Sequence, residues 1–98
     1  MIYLISTARL KPGVREQCIA PALVCIAASR NDPGCIAYDL NLSVTDPDRM
    51  VFVGVWESRV ALDAHFQTAH FKAWRAAVGA FVVDRKLEVI TPANVESL

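Results

Sequence analysis

Residues 50–56 read Met-Val-Phe-Val-Gly-Val-Trp, a run with no polar side chain anywhere in it. A strand turns successive side chains to opposite faces, so Met50, Phe52 and Trp56 lie on one side and Val51, Val53 and Val55 on the other. Both sides must therefore be hidden from water. A chain of 98 residues is one domain's worth, with enough helix for one layer and not two. With 54% hydrophobic and 20% charged residues, disordered and low-complexity states are excluded. The sequence predicts one folded domain over residues 1–98, with a central strand that its own helices cover on one side only.

The flanking segments supply the rest of the fold. Ile2 to Leu10 is rich in strand formers and is broken by Lys11-Pro12-Gly13. Val14 to Arg30 has helical spacing, with Val14, Cys18, Ala22, Cys25 and Ser29 on one stripe. Pro21 interrupts that helix and predicts a kink or break there. Asn31-Asp32-Pro33-Gly34 is a turn. Residues 35–44 form a second strand with apolar even positions, Ile36, Tyr38, Leu40, Leu42 and Val44. A loop through Asp46-Pro47-Asp48 returns the chain antiparallel into the central strand. Ser58 caps a helical region from Arg59 to Val78, with Gly79 as terminator; Thr68 can restart the helix, leaving His65 at the end of one piece and His70 at the start of the next. Phe81 to Ile90 is a fourth strand. The order is βαββαβ, a ferredoxin-like α+β fold with an antiparallel sheet and the helices on one face.

The uncovered sheet face predicts a homodimer. Hiding roughly 400 Å² at about 25 cal/mol per Å² gains about 10 kcal/mol. Association costs about 4 to 15 kcal/mol, so sheet-to-sheet packing of two copies is needed rather than a few isolated contacts. A formal net charge of +0 argues against nucleic acid as partner. The longest apolar stretch, Cys18 to Ala28, contains Pro21 and is too short to span a membrane. Met1 leads into Ile2-Tyr3-Leu4-Ile5 with no basic leader, and three cysteines lack any Cys-x-x-Cys spacing; a cytoplasmic protein with reduced thiols is expected. Gly13, Gly34, Gly54 and Gly79 form no phosphate-cradling motif, so no nucleotide cofactor is expected.

Three stretches carry a family resemblance. They are Leu10-Lys11-Pro12-Gly13; Arg30-Asn31-Asp32-Pro33-Gly34-Cys35-Ile36-Ala37-Tyr38; and Trp56-Glu57-Ser58 followed by Ala61-Leu62-Asp63-Ala64-His65 and Thr68-Ala69-His70-Phe71. The chain resembles the antibiotic biosynthesis monooxygenase family, small dimeric α+β-barrel proteins that include cofactor-independent quinol and anthrone monooxygenases. The second stretch is similar to the family's R-x-E-P-G-C-x-x-Y pattern, with Asp32 for the Glu. The family's haem-degrading branch uses an Asn, a Trp and a His ligand; Trp56 matches the Trp, but the other two positions fall near Ser6 and Arg75, so the resemblance implies no haem. The family often has a Glu two residues before the Trp, where this chain has Gly54.

Oxygenation without a cofactor asks the protein to bind a planar phenolic aromatic, supply a base near neutral pKa and keep out bulk water. His65 is the candidate base, with Trp56 beside it, and His70 is the second titratable candidate. Phe52, Tyr38, His70, Phe71 and Arg75 are the candidate substrate-binding residues. Each has a plainer reading: His65 as a hydrogen-bonded helix-end residue, His70 as a capping or interface residue, Trp56 and Phe52 as core, Arg75 as a solvated charge. A metal site from the two histidines is not expected, because they lack His-x-x-x-His spacing and Glu57 or Asp63 would have to join them. Small aromatic substrate and O2 are the expected partners, with no cofactor. The rivals are a binding module without turnover and an isomerase of a small metabolite; convergent cationic side chains would mark an isomerase acting on a phosphorylated sugar.

Overall fold

The computed structural model describes residues 1–98. In chain order it contains strand β1 (Ile2–Leu10), a 3-10 turn (Arg15–Cys18), helix α1 (Ile19–Ser29), strands β2 (Cys35–Leu42) and β3 (Arg49–Trp56), helices α2 (Arg59–Phe66) and α3 (Ala69–Val78), and strand β4 (Val82–Ile90). The strands form one antiparallel sheet in the order β2-β3-β1-β4. This is the ferredoxin-like α+β arrangement, and the sheet is open at both edges. No helix is long and apolar enough to cross a membrane.

The core lies between the sheet and the helices. Leu4, Ala8 and Leu10 of β1 and Met50, Phe52 and Trp56 of β3 are buried there against Cys18, Ala22 and Cys25, the stripe predicted for the first helix. On the opposite face the register sets Tyr3 beside Val55 and Ile5 beside Val53. Val51 and Val53 are only half-buried. The central strand is thus apolar on both faces, and the helices cover one.

Two local readings are corrected. The helix predicted from Val14 to Arg30 is two elements, and the break falls upstream of Pro21 rather than at it. With Cys18 as N-cap, Pro21 is the third residue of α1; an N–H there has no intrahelical partner, so proline costs little. The second strand was predicted to bury its even positions through Val44. It ends at Leu42, and of those residues only Tyr38 is fully buried, while Ile36 is 54% exposed. β2 is an edge strand, and a register shift between Cys35 and Ala37 takes Ile36 out of the pairing, which removes it from the packed face.

The helical region after Ser58 splits as its caps predict. Ser58 accepts from Ala61 N–H at 3.2 Å and Thr68 from Phe71 N–H at 3.3 Å, each satisfying a donor at a helix start. The turn before β2 is tied to α2. Gly34 has φ +78, and a Cβ there would come within 2.7 Å of the Ala61 Cβ. Its carbonyl accepts from Glu57 N–H at 2.8 Å. Only glycine meets both demands, and the result fixes Asp32 against the end of α2.

Candidate functional site

His65 and His70 are five residues apart, which on one continuous helix would send them in different directions. The restart at Thr68 puts them on separate helices, and both reach one carboxylate. Asp32 Oδ2 lies 2.8 Å from His65 Nδ1 and 3.0 Å from His70 Nε2. A carboxylate only accepts, so each of these nitrogens carries the proton. His65 is therefore held with Nδ1–H donated to Asp32 and its Nε2 lone pair free. That Nε2 is buried without a hydrogen-bond partner. Burial lowers the His65 pKa, and the Asp32 hydrogen bond and charge oppose that shift.

Trp56 and His65 are 0% and 1% exposed and pack together with ring centres 4.7 Å apart. Trp56 Nε1 is the second buried polar atom without a partner. Trp56 gains its place from Gly54, because a Cβ on Gly54 would collide with the indole ring. Tyr38 touches this group on one side, 5.1 Å from His65 and 5.6 Å from Trp56, and stacks at 5.0 Å on Phe52 on the other. Burial pushes the Tyr38 pKa far above the ordinary phenol value, so its hydroxyl stays protonated; it lies 3.8 Å from the Cys25 Sγ.

Beyond Tyr38 and Phe52 lies a slot between the sheet and α3. Leu4 and Ser6 come from β1, Phe71, Trp74 and Arg75 from α3, and Arg85 and Leu87 from β4. Its enclosed space is about 20 Å³, room for about one water. Of the candidate site residues, Tyr38, Phe52, Phe71 and Arg75 line this slot. Trp56, His65 and His70 do not: the first two are sealed behind Tyr38, and His70 opens instead toward a shallow groove between α1 and α3 beside Val24 and Ala73. His65 and Phe71 remain neighbours, with ring centres 5.1 Å apart. Ser6 and Arg75, which stand near the positions of the haem branch's Asn and His, face the slot together.

Asp32 was missed as a site residue, and its stand-in position for the Glu of the turn motif was the signal that marks it. Arg85 was missed as well; it shares the inward parity of Leu87 and Val89 on β4. Asp32, rather than Glu57 or Asp63, joins the histidines, and the three ligand-type atoms lie within 4.8 Å of one another. Two imidazoles and a carboxylate are a transition-metal donor set. A ligating imidazole ordinarily donates its other N–H to a partner, and His65 offers none at Nε2. The trio is better suited to hydrogen bonding than to ligation.

A helix-roofed antiparallel sheet with an aromatic slot beneath the last helix defines a small ferredoxin-like α+β protein. The chain belongs to the antibiotic biosynthesis monooxygenase family, which it matches over residues 1–77. An uncharacterized Synechocystis protein, sll1783, is 39% identical over 70 residues, or 71% of this chain; the chain spans about half, 48%, of that protein's length. The "Probable quinol monooxygenase YgiN" of Escherichia coli is 26% identical over 102 residues, covering 94% of this chain and 98% of its own. The solved structure of Rv0793 from Mycobacterium tuberculosis aligns with a TM-score of 0.88 at 28% identity and 98% coverage of both chains.

Proposed function

We propose that this protein is a cofactor-independent monooxygenase that oxidises a phenolic aromatic, a quinol or anthrone, with O2, and that it works as a homodimer. The observation that carries the reading is the fixed imidazole. Asp32 holds His65 in the tautomer whose bare Nε2 is an acceptor, and burial keeps the ring neutral at physiological pH. A neutral imidazole behind an aromatic slot is what removing a phenolic proton requires. The resulting anion is the electron donor: a hydroquinone and O2 give a hydroxyquinone and water, one oxygen atom entering the ring and the other leaving as water. Substrate supplies all the electrons, so no cofactor is consumed.

Binding must bring the phenol past Tyr38 to His65. Phe71 lines the slot and touches the His65 ring, and it is half-buried, so the route proposed to His65 runs through displacement of its ring. Trp56 is a wall that orients the imidazole. The open sheet face, with Tyr3, Ile5, Val51 and Val53 across paired strands, supports the second copy. The two arginines of the slot are the cationic mark of an isomerase acting on a phosphorylated metabolite, and Ser6 adds a hydroxyl, but Leu4, Phe52, Phe71, Trp74 and Leu87 make most of the lining apolar, which favours an aromatic ring over a sugar.

An oxygen-electrode screen of hydroquinones and anthrones tests the activity. Consumption of O2 is expected in wild type, with a loss of about 10²-fold or more in His65→Ala; undiminished consumption by that variant removes His65 from the base role. Light scattering checks the dimer, and a monomer at micromolar concentration rejects it.

A further inference from the structure

Arg75 and Arg85 enter the same slot from opposite elements, the last helix and the edge strand β4. Neither guanidinium is paired with a carboxylate: the ion pairs of the molecule involve other residues, and Asp84 beside Arg85 accepts from the Arg85 backbone N–H instead, at 2.9 Å. Burial, followed by repulsion from Arg75, lowers the Arg85 pKa, although guanidinium stays charged at any physiological pH. Two like charges facing an apolar slot are costly unless an anion comes between them. Around them stand flat apolar walls, Phe52 and Trp74 with ring centres 5.1 Å apart and Arg75 lying over Phe71 at 5.6 Å.

We propose that Arg75 and Arg85 form a clamp for the anionic group of an aromatic substrate, so that the slot selects phenolic rings bearing a carboxylate over uncharged ones. This rests on reading the slot as the substrate site of the proposed monooxygenase. A planar fork from each side matches a carboxylate, and the ring lies against Phe52 and Trp74, which line the slot side by side. The closed slot holds about 20 Å³, so the ring enters as Phe71 and the exposed Arg75 swing outward together. Arg85 sits on the sheet and supplies the fixed half of the clamp.

The test is isothermal titration of the full chain with 2,5-dihydroxybenzoate, hydroquinone and inorganic phosphate under anaerobic, low-salt conditions. The carboxylate is expected to bind about tenfold tighter than hydroquinone or more, and to lose that advantage in Arg85→Gln, in Arg75→Gln and in 0.5 M salt, with thermal melts confirming that both variants fold. The proposal is overturned by equal affinity of wild type for the two aromatics, by no binding of either at millimolar concentration, or by a preference that survives in both single variants. Phosphate binding as tightly as 2,5-dihydroxybenzoate also overturns it, since the ring would then contribute nothing. O2 consumption is followed in parallel. Selective binding without turnover sinks the monooxygenase reading and keeps the clamp, whereas turnover without charge preference sinks the clamp alone.

Discussion

The inner face of the sheet has two unlike halves. Around β3 and α2, Trp56, His65 and Leu62 interlock behind Tyr38, none of them more than 1% exposed. Across β1 toward β4, the same inward register pairs Ala8 with Arg85 and Ser6 with Leu87, yet Leu87 stays 39% exposed. One half is a solid core with polar atoms trapped in it; the other is a shallow, charged slot. A buried imidazole needs the first environment to hold one tautomer, and a substrate needs the second to enter. The fold supplies both because the helices cover the sheet unevenly.

Four measurements bear on that contrast. Trp56→Ala should cost about 3–5 kcal/mol in urea unfolding, because it empties the sealed half. Asp32→Ala should cost about 1–3 kcal/mol by stranding the donors of His65 and His70. Stability should also depend on pH through His65. Its folded pKa lies below its unfolded value, so the unfolded chain takes up the proton first. The contribution is fully present above about pH 6.5 and is lost as pH falls toward the folded pKa, with a slope of at most about 1.4 kcal/mol per pH unit; His65→Gln should flatten that slope. Leu87→Ala should cost under about 1 kcal/mol, given its exposure. Should Leu87→Ala match Trp56→Ala, the two halves are equally packed and the contrast fails.

Much of this was legible in the chain. β1, β3 and β4 follow from strand-forming runs closed by proline and glycine, and the α2–α3 break from Ser58 and Thr68, whose caps act locally. Long-range relations were harder. Asp32 meets His65 and His70 across 33 and 38 residues, and nothing in local spacing announces a turn carboxylate as their acceptor. Alternation in β2 gave the right parity but not burial, because an edge position is a property of the assembled sheet. Arg85 looked like one more charge on a polar strand until β1 set its direction.

The contact between Gly54 and Trp56 also limits how such a chain can change over generations. Any replacement that adds a Cβ at residue 54 meets the indole ring of Trp56 where it now stands, so a larger side chain there requires that ring to shift at the same time. Such a shift disturbs the packing of Trp56 on His65. A bare residue 54 therefore keeps an uncharged floor under the indole that holds the imidazole.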